Sequence, residues 1–310
     1  MRLYFAPLEG ITDSVYRRLH HRYFPGLDRY YMPFFFPTMH RCLTRKEDRE
    51  LPMADSEGFV AVPQIMTKVP EDFIWAAQQC ADRGYQEVNL NVGCPSGTVV
   101  AKGKGAGMLA DPEALDRFLE RICSESPIDV SVKTRLGLKS SEEFPRLLEI
   151  FDRYPIKELT IHPRIRTDFY KPPVQLDWFA YALENTHLSL CYNGDIDSLA
   201  VLKQMQARFP QVEAFMLGRG LVGDPGMLSP GGTDVRVLEQ FHDHLLEEYA
   251  VGFGSTRNAM FRMKENWHYF SLHFEGGEKL FKKLRKTTDL AEYRQITAEI
   301  FHNLPRLQTV

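Results

Sequence analysis

The first 217 residues alternate short apolar runs with helix signals, and this rhythm constrains the fold more than any other feature of the chain. Apolar runs at 2–6, 28–32, 59–65, 86–91, 128–135, 157–162, 187–192 and 212–217 have strand length, and most end near proline, glycine or a polar residue. Helical patterns fill most of the intervals, at 12–23, 70–83, 111–123, 140–154, around Trp178, and at 196–209. Thr12 or Asp13 can cap the first of these helices, and Ser140 or Ser141 the fourth, with Pro145 in its opening turns. Pro112 suits a first helical position. Residues 37–57 are polar and of mixed charge, and read as a solvated loop. Strands that alternate with helices pack as a parallel sheet, and eight of them close into a (β/α)8 TIM barrel. Near Ser229-Pro-Gly-Gly-Thr233 the alternation stops. Beyond it the pattern is helical, with Phe241, Leu245, Leu246 and Tyr249 at helical spacing. The expected architecture is α/β: a TIM barrel over 1–233, followed by a smaller all-helical domain over 234–310.

Barrels of this kind build chemistry from the C-terminal ends of their strands. Those ends read Pro7-Leu8-Glu9, Pro33, Gln64, Asn91 with Cys94, Lys133, His162 with Arg164, Asn193-Gly194-Asp195, and Gly218-Arg219-Gly220. Singly, Gln64 could cap a loop and His162 could be a satisfied core histidine; a barrel without a site would not gather them all on one rim. The seventh and eighth ends suit a phosphate, because glycines and helix starts offer free N–H groups. Gly218-Arg-Gly-Leu-Val-Gly223 also matches a dinucleotide fingerprint, but Asp224-Pro-Gly and Ser229-Pro-Gly-Gly break the βαβ unit which that motif needs. Within Val130-Ser-Val-Lys-Thr-Arg135, alternation puts Ser131, Lys133 and Arg135 on one face. An inward lysine calls for an anionic partner.

A long, glycine-rich loop follows the fourth strand. Gly93 there permits a tight turn, and Pro95 fixes the path after Cys94. An isolated cysteine is ordinarily a small buried hydrophobe. A Gly-Cys-Pro corner in a polar loop is a poor place to bury one. Lys102 and Lys104 stand among glycines as a flexible cationic strip suited to an anion.

Asn91-Val-Gly-Cys-Pro95 and Lys102-Gly-Lys-Gly-Ala-Gly107 resemble the dihydrouridine synthase family, flavin enzymes that reduce uridine in transfer RNA. Lys104 stands where the family more often has a second glycine. The resemblance runs over residues 3–228, through Ala6-Pro7-Leu8, Gln64, Val132-Lys-Thr-Arg135, His162-Pro-Arg164, Asn193-Gly-Asp195 and Gly218-Arg219. Pro163 replaces the family's usual small residue. The resemblance implies FMN bound by Pro7, Leu8, Glu9, Gln64, Lys133, His162, Arg164, Asn193, Gly194, Asp195, Gly218 and Arg219. It implies Cys94 as the catalytic acid, Asn91 orienting the base, and NADPH or NADH as reductant.

A net charge of −3 excludes a broadly basic nucleic-acid binder, so any RNA site must be a local patch. In the C-terminal part, Arg262-Met-Lys264-Glu-Asn-Trp267 resembles the family's basic and aromatic helix. Lys279, Lys282, Lys283 and Lys286 recur at helical spacing with Arg285 beside them, and Leu280, Phe281 and Leu284 lie toward the other side. The tRNA-contact candidates are therefore Lys102, Lys104, Arg262, Lys264, Lys282, Lys283 and Lys286. Five cysteines without metal-ligand spacing point to free thiols and a reducing cytoplasm, with no metal site. The N-terminus turns polar too soon for a signal peptide, and no apolar run has membrane-spanning length. Nothing sets an oligomeric state; a monomer is compatible with the sequence. Two other readings stand beside the synthase. One is a flavin barrel acting on dihydroorotate or a free pyrimidine, which the added basic helical domain disfavours. The other is an inactive RNA-binding relative, which the presence of Cys94 and the cofactor positions disfavours.

Overall fold

The computed structural model describes residues 1–37 and 40–307. Its strands are β1 (Arg2–Phe5), β2 (Arg29–Tyr31), β3 (Ala61–Val62), β4 (Gln64–Ile65), β5 (Glu87–Val92), β6 (Asp129–Gly137), β7 (Leu159–Ile165), β8 (Leu190–Tyr192) and β9 (Ala214–Leu217). They pair in parallel, in the order β3-β2-β1-β9-β8-β7-β6-β5-β4. The two outermost segments are halves of the single strand expected at 59–65. Pro63 separates them because it has no N–H to give the ladder, although its carbonyl still accepts the Asn89 N–H at 2.8 Å. The order thus returns on itself through Pro63, and the sheet is a nearly closed barrel, as the alternation predicts.

The helices are α1 (Ser14–Tyr23), α2 (Arg45–Glu50), α3 (Pro70–Ala81), α4 (Gly97–Val100), α5 (Pro112–Glu125), α6 (Phe144–Phe151), α7 (Leu176–Asn185), α8 (Leu199–Arg208), α9 (Arg219–Gly223), α10 (Val235–Phe253), α11 (Thr256–Phe270), α12 (Glu278–Lys286) and α13 (Leu290–Asn303). Asp13 caps α1 by accepting the Tyr16 N–H at 3.0 Å. The stretch 37–57, expected as loop, contains α2, started by a capping box between Thr44 and Glu47. This helix buries none of its residues, so apolar periodicity could not reveal it. Residues 38 and 39 of that stretch, and 308–310 of the expected helical domain, lie outside the described residues. The fourth expected helix begins later than its caps suggest: Ser140 and Glu143 close a 3-10 turn over Ser141–Glu143, and α6 follows with Pro145 in its first turn.

Two compact units result. The first comprises Met1–Glu9, Asp28–Asp195 and Arg208–Met216; the second comprises Gly10–Leu27, Ile196–Ala207 and the chain from Leu217 onward. In the first unit, Tyr4, Ala6, Tyr31, Val62, Cys191, Ala214 and Met216 form a buried cluster inside the barrel, with Leu8 packed against it. The carboxylate of Glu158, just before β7, accepts the hydroxyls of Tyr4 at 3.0 Å and Tyr31 at 3.3 Å. In the second unit, Phe241, Leu245, Leu246 and Tyr249 are buried as their spacing predicts. The Trp267 indole N–H donates to His242 Nε2 at 3.1 Å and to the Tyr293 hydroxyl at 3.0 Å, tying α10, α11 and α13 together. Among the described residues, no helix is long and apolar enough to cross a membrane.

Candidate active site

The longest strands, β5, β6 and β7, carry the site. Asn91 stands beside Lys133, Lys133 beside Thr160, and Arg135 beside His162. Side chains alternate along a strand, so Asn89 and Asn91, then Ser131, Lys133 and Arg135, share a face with Thr160 and His162. A hydrogen-bonded chain links this face to β4. Gln64 Nε2 donates to Asn89 Oδ1 at 2.8 Å, Asn89 Nδ2 to Ser131 Oγ at 2.9 Å, and Asn91 Nδ2 to Gln64 Oε1 at 2.7 Å. Gln64 is fully buried, and its amide is engaged by the two asparagines.

The loop after β5 is folded, where the sequence suggests a flexible strip. Asn91 Oδ1 accepts the N–H groups of Gly93 at 3.1 Å and Cys94 at 2.9 Å. Gly93 is not a left-handed turn residue. Its backbone packs closely on β6: a Cβ there would stand 3.3 Å from the Thr134 carbonyl carbon and 3.4 Å from the Lys133 oxygen. Beyond Cys94 the chain forms α4 and a 3-10 turn over Gly105–Ala110. It then returns to the thiol corner, since the Ala106 N–H donates to the Cys94 carbonyl at 3.1 Å. Gly105 has φ +55°, and a Cβ there would lie 3.0 Å from both Cys94 Cβ and the Cys94 oxygen.

Arg135 fastens this loop to the one after β7. Its guanidinium donates to the carbonyls of Gly93 at 3.0 Å, Ile165 at 3.0 Å and Phe169 at 2.9 Å. Arg166 adds a bond to the Pro95 carbonyl at 3.2 Å. The strand alternation puts Arg135 on the inward face, one pleat beyond Lys133, and that position is the signal in the sequence for this fastening role.

Two electrostatic features follow. Lys133 has no carboxylate within 4 Å among the described residues. Burial, reinforced by the Arg135 charge, pushes its ammonium down to about 8. Burial pushes the Cys94 thiol up, against the opposing pull of the Ser96 backbone and of Arg135 and Lys133. The half-buried thiol is therefore protonated at neutral pH.

His162 and Arg164 lie on the next strand. Arg164 is almost fully buried and holds Asp195 with both terminal nitrogens, one at 2.8 Å and the other closer. It also donates to the Pro172 carbonyl at 2.7 Å and meets His162 Nε2 at 3.1 Å. A guanidinium can only donate, so His162 Nε2 accepts and its ring proton sits on Nδ1. Asn193 donates to the Met216 carbonyl at 2.7 Å. A Cβ at Gly194 would stand 2.8 Å from Val174 Cγ1. At the end of β1, half-buried Pro7 leads into Leu8 on the interior cluster, and Glu9 pairs with Lys46 at 3.4 Å. Gly218 and Arg219 lie in the second unit, Gly218 immediately before α9. A Cβ at Gly220 there would stand 2.4 Å from the Asp197 Cα.

The candidate RNA contacts divide by environment. Lys102 is exposed, and the Lys104 ammonium lies 5.1 Å from the centre of the Phe36 ring. Lys282 and Lys286 are exposed on α12, while Lys283 pairs with Glu292 at 3.3 Å. Arg262 and Lys264 have partners within the second unit. Arg262 bonds the Gly10 carbonyl and lies 3.1 Å from Glu265 and 3.5 Å from Asp13. Lys264 donates to the Arg285 carbonyl at 3.4 Å and, more closely, to that of Thr287, capping the end of α12. All five cysteines are free.

An unpaired interior ammonium, carboxamides and a neutral imidazole at the strand ends make a donor set that fits a flavin ring, whose pyrimidine edge is rich in acceptors and anionic when reduced. The fold is a (β/α)8 barrel, and this rim is its candidate active site, at the C-terminal ends of its strands. The dihydrouridine synthase (Dus) family model matches residues 4–308, and the chain belongs to that family. It is 29% identical over 225 residues to tRNA-dihydrouridine synthase B of Pasteurella multocida, covering 72% of this chain and 67% of that protein. It is 25% identical over 317 residues to probable tRNA-dihydrouridine synthase 1 of Synechocystis, covering 95% of this chain and 85% of that one. Among solved structures, morphinone reductase in complex with tetrahydroNAD shares the fold, with a TM-score of 0.52 at 11% identity over 73% of this chain and 85% of that one.

Proposed function

We propose that the protein is an FMN-dependent tRNA-dihydrouridine synthase, reducing the C5–C6 double bond of a uridine in tRNA with NADPH or NADH as electron source. The observation that carries this reading is the protonated Cys94 thiol, fixed by Asn91 on the same rim as the unpaired Lys133. The family membership and the names of the relatives support it.

FMN, when bound, supplies a hydride to C6 of the uracil. Lys133 balances the negative charge of the reduced ring. Gln64, His162, Asn193 and Gly194, with Pro7, Leu8 and Glu9, line the ring and its chain; Arg164 holds Asp195 in place; Gly218 and Arg219 take the phosphate. Cys94 delivers the proton that C5 needs, so one hydride and one proton saturate the bond. A thiol at or above its ordinary value of about 8.5 is protonated at pH 7 and so can donate. Asn91 acts on the base through the loop it anchors. The uridine leaves its stack to reach this rim. Residues 1–233 form the catalytic part and 234–310 the tRNA-binding part, with α12 offering Lys282, Lys283 and Lys286 to phosphates in the cytoplasm, where tRNA is modified. Lys102 and Lys104 lie on the catalytic loop itself, while Arg262 and Lys264 reach RNA only by sharing their present partners.

The test is to map dihydrouridine in tRNA from cells lacking this protein. Loss at a defined position is expected; unchanged tRNA overturns the reading. Turnover of free uracil comparable with that of tRNA would favour a small-molecule enzyme instead.

A further inference from the structure

We propose that Phe36, Lys68, Lys102 and Lys104 form a subsite for an unpaired RNA nucleotide flanking the target uridine, its base stacked on Phe36 and its phosphates held by the three lysines. The inference rests on the tRNA reading above and extends it to Lys68 and to Phe36, which belongs to an aromatic cluster, Tyr30, Tyr31, Phe34, Phe35 and Phe36, that the sequence alone reads as core and loop packing rather than a base-stacking platform.

Three rim segments meet here. Phe35, beyond β2, adds a rung beside β4: its N–H donates to the Gln64 carbonyl at 3.0 Å, and its own carbonyl accepts the Met66 N–H at 3.1 Å. The backbone on which Phe36 follows is thus tied to the strand that carries Gln64. Phe36 is 38% exposed and rests edge-on against Phe34, with ring centres 5.2 Å apart. The Lys104 ammonium stands 5.1 Å from its centre. Lys68, past the end of β4, brings its ammonium to 3.4 Å from where a Cβ on Gly103 would be, between Lys102 and Lys104 in the chain.

The charge at this place is not neutralised. None of the three lysines has a carboxylate within 4 Å among the described residues, and Asp72, whose charge acts on Lys104, is itself paired with Arg41 at 3.5 Å. Burial pushes the Lys104 ammonium down, and Lys102 and Lys68 push the same way. A chain of net charge −3 that concentrates like charges around an exposed ring is built for a ligand with both a π face and an anion. A nucleotide has both, and single-stranded nucleic acid is bound in this way by aromatic platforms beside lysines. The location makes the nucleotide a neighbour of the reacting base. Lys104 directly precedes Gly105, the glycine that packs on Cys94.

The test uses the 310-residue chain loaded with FMN, and unmodified tRNA, with bound FMN and thermal midpoint checking the fold. Phe36→Ala should weaken tRNA binding and raise KM roughly 5- to 100-fold, with a smaller change in kcat, and Phe36→Trp should restore both. Lys68→Glu should weaken binding and lower the slope of log affinity against log salt by about 0.7 for each phosphate that is no longer neutralised. Wild-type affinity and salt slope in Phe36→Ala and Lys68→Glu would overturn the subsite. So would a loss in Phe36→Ala that Phe36→Trp does not restore. Wild-type protein that binds tRNA with these deficits in the variants, yet forms no dihydrouridine, would overturn the synthase reading and uphold the subsite.

Discussion

The side-chain oxygen of Asn91 accepts the backbone N–H of Cys94 at 2.9 Å, so the residue that ends β5 also sets where the thiol stands. The same oxygen takes the Gly93 N–H, and the Asn91 amide is held by Gln64. Asn91 is therefore a positioning residue for Cys94.

Asn91→Ala strips two loop N–H groups of their acceptor. Leaving such donors unpaired costs about 1–3 kcal/mol. Thermal unfolding should report a loss of that size. Alkylation of Cys94 by iodoacetamide should also speed up, because the corner that half-buries the thiol is no longer fixed. Unchanged stability and unchanged alkylation would show that Gly105 and Arg135 hold the corner without Asn91.

Lys133→Met makes stability and cofactor binding move in opposite directions. In the flavin-free protein, Lys133 titrates near 8, below its ordinary value of about 10.5. The unfolded chain then binds more protons between these values, so the wild type gains stability as pH rises from 8 to 10.5. Below pH 8 the full penalty of the unpaired charge is present. The variant should therefore be more stable at pH 7, by on the order of 2 kcal/mol after allowance for solvent screening, and the gap should close by about pH 10.5. FMN retention should fall in the same variant. A constant difference in melting temperature from pH 7 to 10.5 would refute the burial of an unpaired ammonium.

Which features were legible in the sequence follows from their range along the chain. Strand ends and their polar residues were readable because period-two alternation and prolines are local signals, and Lys133, His162 and Asn193 fall on the rim that these signals define. The fold of the loop after Cys94 was not readable. Gly105 is a glycine because it packs on Cys94, a contact that appears only when the loop closes on itself. The same limit applies to charge. Arg262 and Lys264 look like free cations in a basic helix, but Asp13 and the carbonyl ends of α12 reach them from distant parts of the sequence. Helix α2 carried one local clue, the Thr44–Glu47 capping box, and no apolar stripe to support it.

On α12, reversing Lys282 and Lys286 to Glu should weaken tRNA binding and flatten its salt dependence, because the protein then neutralises fewer phosphates and releases fewer counterions. Adding Lys283→Glu should cost further stability through repulsion from Glu292, its present partner at 3.3 Å. Such exposed pairs are worth at most about 1 kcal/mol, so the fold should survive. Binding measured at several salt concentrations checks the prediction. A slope equal to that of wild type would make this face a solvated surface only.

Cys94 offers the most direct test of the chemistry. Its thiol is pushed up by burial and so keeps its proton at pH 7, as an acid must before it donates. Removing it should leave reduction of the flavin by NADPH intact, because that half-reaction requires no proton at C5. Reoxidation by unmodified tRNA should slow by roughly 10²–10⁴-fold in Cys94→Ala, the usual contribution of a positioned acid. Cys94→Ser should recover little, since a hydroxyl is a far weaker acid than a thiol. Its smaller oxygen still fits beside Gly105, so a steric defect would not explain the loss. The measurement is single-turnover flavin reoxidation followed by absorbance. Wild-type reoxidation by Cys94→Ala would remove the thiol from the mechanism and leave the proton to come from solvent or another rim residue.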